Sequence, residues 1–230
     1  MTVGQQVDEV ARRVDLARLA VRAYAGNDRV AAALVGGSVA RGLADAASDS
    51  ELDGYWTAPP SSADREAAVE GAGFERVYAE EDEHEWADGL RVDGVKIDVS
   101  GFVTSTIDTS LDRALAGDTE AELQVRVTAL RDGIPLHGQG VIEVWRARCA
   151  DYPEALAVAM VEQGLDLRSR ERLEMLAARD DVLLLHRDLL DGVQGVLNAV
   201  VDETYALARE HAPAADVTHL RQAFELRRVV

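Results

Sequence analysis

Gly36-Gly37-Ser38-Val39-Ala40-Arg41-Gly42, followed after a short spacer by Ser50-Glu51-Leu52-Asp53, is the stretch on which the reading of this chain turns. Ahead of it Val30 to Val35 is a short apolar run, and Leu52 to Thr57, closed by Pro59-Pro60, is another. Both read as strands, with a glycine turn between them. Side chains alternate along a strand, so Glu51 and Asp53 project from one face and can share a cation-sized volume. Magnesium takes oxygen ligands, commonly one or two carboxylates plus substrate phosphates, and the pair suits it. Gly36 and Gly37 carry no β-carbon, which lets the backbone approach phosphate oxygens. The Ser38 hydroxyl and nearby N–H groups can donate to those oxygens, and Arg41 adds positive charge about one helical turn on.

Outward from this centre, Val7, Val10, Val14, Ala17 and Val21 recur at spacings of three and four and predict an amphipathic first helix packed on a sheet. Ser62 to Glu70 reads as a helix and Phe74 to Ala79 as a further strand. Between Leu90 and Ser100, Asp93-Gly94 separates two alternating runs and signals a hairpin. Its second strand sets Val95, Ile97 and Val99 on one face and Lys96, Asp98 and Ser100 on the other. Asp98 is thereby a third carboxylate able to bind a metal or to accept the proton of an attacking hydroxyl. Asp49 offers another register with Glu51 if the acidic strand starts early.

From about Ser105 strand signals fade and the chain is rich in Ala, Leu, Glu and Arg at helical spacing. The expected fold is α+β: a mixed sheet flanked by helices over residues 1–104, then an α-helical bundle over 105–230. Gly133-Ile134-Pro135-Leu136-His137-Gly138 and Asp151-Tyr152-Pro153 read as the turns that punctuate the second part. A long helix is expected from about Asp181 to Glu210, with Leu185, Leu189, Val193, Val196 and Val200 inward.

The 230 residues are 47% hydrophobic, enough for a sizeable core. With 24 Lys and Arg against 42 Asp and Glu, the net charge of −18 works against long nucleic acid as a partner, while a small anion can still bind where backbone N–H groups and a divalent cation reverse the local field. Cys149 is the single cysteine and cannot form an intramolecular disulfide. No apolar stretch has the length of a signal peptide or a membrane span, so a soluble cytoplasmic protein is expected. Lys96 reads as a solvated strand lysine and the acidic run Glu80 to Glu85 as a solvated loop, with binding of a cationic acceptor as its functional alternative. Trp56 and Trp86 read as core residues; His137 and His186 lack the spacing of a zinc site.

The Gly37-Ser38 turn, the Glu51-Leu52-Asp53 pair about a dozen residues on, and Asp98 on a later strand resemble the pattern of the nucleotidyltransferase superfamily that includes DNA polymerase beta and the aminoglycoside and lincosamide nucleotidyltransferases. The resemblance extends to a bacterial branch with a helical carboxy-terminal half, through Tyr55-Trp56-Thr57-Ala58-Pro59-Pro60, Ile134 to Gly138 and Tyr152-Pro153. It implies a magnesium-dependent enzyme that moves a nucleoside monophosphate from a nucleoside triphosphate to a hydroxyl of a small molecule, an antibiotic among the candidates, or of a protein, releasing pyrophosphate. Glu51, Asp53 and Asp98 would be the catalytic and metal-binding residues, and Gly36, Gly37, Ser38 and Arg41 would hold the nucleotide. Glu51 departs from the pattern, which has Asp there, and displaces the carboxylate by roughly 1 Å. The alternative is accordingly a degenerate member, a binding or antitoxin-like regulatory protein without catalysis.

Overall fold

The computed structural model describes residues 3–82, 85–150 and 153–211, with side chains described as far as 198 in the last helix. Glu83 and His84 of the acidic run, and Asp151 and Tyr152 of the second expected turn, lie outside the described residues. The order of elements is α1 (Val3–Tyr24), β1 (Val30–Val35), α2 (Gly37–Ala40), β2 (Ser50–Trp56), α3 (Ser62–Ala72), β3 (Glu75–Glu81), β4 (Glu85–Val92), β5 (Val95–Val103), α4 (Thr104–Leu115), α5 (Ala121–Asp132), β6 (Ile134–His137), α6 (Gln139–Arg148), α7 (Glu154–Gly164), α8 (Arg170–Ala178) and α9 (Val182–His211). The six strands form one mixed sheet in the order β3-β4-β5-β2-β1-β6. Among the described residues only β2 and β5 run parallel, and that pair sits at the centre.

The chain divides into two compact units. The first takes residues 1–112 and 121–150 and contains the whole sheet; the second takes 113–120 with the helices from 153 on. The sheet unit therefore draws on residues well beyond 104.

Two apolar layers sandwich the sheet. On one face Leu16, Ala17, Ala20 and Val21 of α1 and Val69 of α3 pack on Val35, Leu52, Trp56, Leu90, Ile97 and Val99. On the other Ile107 and Leu111 of α4, Leu130 of α5 and Ile142 and Trp145 of α6 pack on Ala32, Leu34, Tyr55 and Phe102. Trp56 and Trp86 are core residues, edge to face with ring centroids 6.0 Å apart. Trp86 lies across Gly101 of the neighbouring strand, where a β-carbon would meet its ring nitrogen at 1.9 Å. The β4–β5 hairpin turns on Asp93 and Gly94, both with left-handed φ (48° and 79°), the conformation a tight two-residue turn requires.

Three sequence expectations differ from the structure. Ile134–His137 is not a loop but the sixth strand, antiparallel to β1. It is four residues long and contains Pro135, which an edge strand tolerates and a pattern search discounts. In α1, Val7 is exposed, and the buried stripe instead includes Arg13, whose guanidinium donates to the Ser48 carbonyl at 2.8 and 3.0 Å and pairs with Glu9. That contact ties α1 to the loop just ahead of β2. In α9, Leu189, Val193 and Val196 are exposed, whereas Asp188 is buried with Arg172 at 2.5 Å. The reason is close approach to α7: a β-carbon on Gly195 would meet the Gly164 carbonyl oxygen at 2.6 Å, so small residues, not large ones, face the partner helix. Val200 lies beyond the described side chains. Among the described residues no helix is long and apolar enough to cross a membrane.

Candidate active site

The polar end of the sheet face that carries α4, α5 and α6 is built by three strands and one turn. β1 ends at Val35, and the backbone N–H of Gly36 donates to the Glu51 carbonyl at 2.8 Å, fixing the turn beside β2. Gly37 then takes a left-handed φ of 58° and opens the single helical turn α2. A β-carbon on Gly37 would lie 2.0 Å from Oε2 of Glu51. Glycine is thus required twice at this position, by the backbone conformation and by the carboxylate folded against it. Arg41 caps α2 and is exposed, close enough to Glu51 to stabilise its ionised form.

β2 starts at Ser50, so Asp49 falls outside the strand and the register pairing Asp49 with Glu51 is not formed. Glu51, Asp53 and Tyr55 alternate onto the site face, as expected from their spacing. Partial burial against the turn raises the Glu51 carboxyl, the charges of Asp49 and Asp98 add to this, and Arg41 opposes it. Asp53 lies deeper. Its carboxyl is pushed up to about 6, first by burial, then against the pull of a hydrogen bond from the Tyr55 hydroxyl (3.1 Å), with Glu51's charge raising it and Arg126 lowering it.

The parallel register of β2 and β5 sets Glu51 directly beside Asp98, and Asp53 beside Ser100. Asp98 is fully engaged: Oδ1 accepts from the Tyr78 hydroxyl at 2.6 Å and Oδ2 from the Lys96 ammonium at 2.8 Å. Lys96, which reads as a solvated lysine in the sequence, is held in this bond, and the bond to Asp98 raises its pKa. The structure brings Gly37, Glu51, Asp53 and Asp98 to one end of one face. It does not draw the three carboxylates into a metal cluster as they stand, and no other group of three His, Cys, Asp or Glu among the described residues forms one.

No protein-family model and no curated protein matches the sequence. A solved structure described as a nucleotidyltransferase-like protein from Exiguobacterium sibiricum 255-15 is similar over 92% of this chain and 65% of its own, at 11% identity and a TM-score of 0.43. The chain thus spans less than two thirds of that protein's length.

Two residues of the site escape sequence reading. Tyr78 reaches Asp98 from β3 across the whole width of β4, which only the three-strand register reveals. Arg126 on α5 donates to the Ser110 hydroxyl (3.1 Å), pairs with Glu85 and Glu122, and lies 5.2 Å from the Phe102 ring centroid, placing a cation within electrostatic reach of Asp53. His137 and His186 serve backbone carbonyls, those of Val30 and Val182.

Whether these residues fit magnesium is decided by Glu51 and Asp53. Both carboxyls are raised chiefly by burial, with neighbouring negative charge adding to it and Arg41 and Arg126 opposing it. Two carboxylates on one strand face are oxygen donors of the kind a divalent ion such as magnesium takes, and such an ion would favour their ionised forms. Asp98 already has its cation in Lys96.

Proposed function

We propose that the chain is a nucleotidyltransferase, moving a nucleoside monophosphate from a nucleoside triphosphate to a hydroxyl acceptor, either a small molecule or a protein. The observation that supports this reading most is the convergence of Gly37, Glu51 and Asp98. A glycine turn with no side chain of its own, an acidic pair whose first carboxylate rests on that turn, and a third, oriented carboxylate meet at one end of a single sheet face.

In this reading the N–H groups and hydroxyl of Gly37 and Ser38 donate to the triphosphate, and Arg41 neutralises part of its charge from the solvent side. Glu51 and Asp53 would hold magnesium, which when bound supplies neutralisation of phosphate charge and a lower pKa for a hydroxyl beside it. Asp98, oriented from both sides by Tyr78 and Lys96, accepts the acceptor's proton as its oxygen attacks the α-phosphorus. Positioning and fixed charge carry the rate in this class of chemistry.

The test is direct. Purified protein is incubated with each of the four nucleoside triphosphates, magnesium and a panel of hydroxyl acceptors. Pyrophosphate release is expected from the wild type and not from Asp53→Asn. Equal release from both sinks the reading.

A further inference from the structure

The Tyr78 hydroxyl is hydrogen-bonded to Asp98, the carboxylate that serves as proton acceptor in the proposed reaction. Tyr78, on the edge strand β3, is paired in register with Gly89 of β4, and Gly89 is paired with Asp98 of β5. The phenol ring lies flat across Gly89, where a β-carbon would come within 2.2 Å of it. That missing side chain lets the ring cross a full strand, and its hydroxyl arrives 2.6 Å from Oδ1 of Asp98. Lys96 holds the opposite oxygen at 2.8 Å and sits 5.5 Å from the Tyr78 ring centroid, so the carboxylate has little freedom to rotate away.

The line continues in the other direction. Asp98 is beside Glu51 in the parallel register, and Glu51 rests on Gly37. Gly37, Glu51, Asp98, Gly89 and Tyr78 therefore run across the sheet at one level, with neighbouring strands spaced by about 4.8 Å. A phosphate chain seated on the glycine turn over Glu51 has, next to Asp98, a phenolic oxygen whose proton already lies in a hydrogen bond to the general base. That is the geometric requirement for general-base catalysis, met without any external acceptor.

We propose that Tyr78 is itself an acceptor: the chain transfers a nucleoside monophosphate to the Tyr78 Oη in its own active site. The inference rests on the nucleotidyltransferase reading above. In the step, the Oη–phosphorus bond forms at the α-phosphate and the bond from that phosphorus to the bridging oxygen of the β-phosphate breaks. The phenolic proton passes to Oδ1 of Asp98, and pyrophosphate leaves. The phenolic proton already lies in a 2.6 Å hydrogen bond to Oδ1 of Asp98, so that carboxylate is placed to take it as the oxygen attacks. The product removes the hydrogen bond that held Asp98 and leaves a nucleotide phosphodiester at the acceptor position. Modification thus ends with the site closed to other acceptors.

The experiment uses the full chain with magnesium and ATP, GTP, CTP or UTP in turn, followed by intact mass and peptide mapping. The expected result is an increment of one nucleoside monophosphate per chain, located on Tyr78. Its first-order rate should not change with protein concentration, because the reaction is internal. Tyr78→Phe and Asp98→Asn should carry no adduct, and Gly89→Val, which evicts the ring but keeps the hydroxyl, should lose it as well. A wild type that releases pyrophosphate or modifies an added acceptor while Tyr78 stays unmodified overturns this inference and leaves the nucleotidyltransferase reading standing. An adduct mapped to any other residue also overturns it. A wild type that neither binds nor turns over any of the four nucleotides removes both.

Discussion

Gly37 and Glu51 are fitted to each other: a β-carbon on the one would lie 2.0 Å from the carboxylate oxygen of the other, and the glycine's φ is 58°. Gly37→Ala is therefore expected to lose about 1–2 kcal/mol from the left-handed backbone alone. Displacement of Glu51 adds to that loss. In a Glu51→Ala background the steric part disappears and only the backbone cost remains. Urea unfolding of the two single variants and the double variant measures this; an identical cost of Gly37→Ala in both backgrounds would show that the contact carries no energy. Nucleotide binding by Gly37→Ala should weaken at least tenfold, read by calorimetry.

Asp53 gives the fold a pH dependence of its own. Its carboxyl is pushed up to about 6 in the folded chain, against 3.8 as the ordinary value. Between those pH values the native state holds the proton more firmly than the unfolded chain. This group's contribution to stability is therefore present at low pH and lost as pH rises from about 4 to about 6. The difference is worth on the order of 3 kcal/mol. Asp53→Asn mimics the protonated form, so it should be more stable than the wild type at pH 7, with the gap closing toward pH 4. Asp45, Asp64, Asp118 and Asp188 are lowered and act in the opposite sense, which makes the difference between the two proteins the informative curve. Urea midpoints at four pH values give it, and a gap that widens toward acid refutes the assignment. Millimolar magnesium should narrow the gap at pH 7 by relieving the ionised pair.

A buried charge elsewhere in the sheet unit sets its stability. Asp88 is fully buried on the α1 face, accepting from Arg65 at 2.8 and 3.1 Å and from the Tyr24 hydroxyl at 3.0 Å. Asp88→Ala leaves Arg65 buried without its carboxylate and should cost about 3–5 kcal/mol. Asp88→Asn, which keeps two acceptor lone pairs, should cost less. Denaturant unfolding of both variants checks the order; equal losses would mean that the charge, which both variants remove, decides the site, and not the acceptor shape that Asn keeps.

The central strands and their acidic pair were legible because each signal was local. Two apolar runs flank a glycine turn, Asp93-Gly94 sits between alternating segments, and Glu51 and Asp53 are separated by one residue. What was hidden depends on partners distant in sequence. β6 is specified by its fit to β1, not by its own four residues. The inward face of α9 is chosen by Gly195, which carries no hydrophobic signal, and by Asp188, which reads as polar surface until Arg172 is seen beside it. Tyr78 joins the site only through register across three strands: alternation put Lys96 on the face of Asp98, but nothing in a linear pattern placed a phenol from β3 on the same carboxylate.

The length of the Glu51 side chain is what brings its carboxylate onto Gly37. The carboxylate reaches past the strand onto the glycine turn, so its oxygens sit at the turn rather than above β2. Glu51→Asp withdraws the head by roughly 1 Å, one C–C bond projected along the side chain. Magnesium demands near-ideal octahedral geometry, and a displacement of that size is enough to weaken a two-carboxylate site. The expected outcome is a roughly tenfold weaker magnesium affinity and a comparable fall in turnover, about 1.4 kcal/mol in each. Gly37→Ala should be better tolerated in this background, since the shortened side chain no longer meets the added methyl. Magnesium titration followed by calorimetry, with pyrophosphate release alongside, measures both. If Glu51→Asp binds the ion more tightly and turns over faster than the wild type, then glutamate is the residue that has weakened an ancestral site, and the degenerate reading takes precedence.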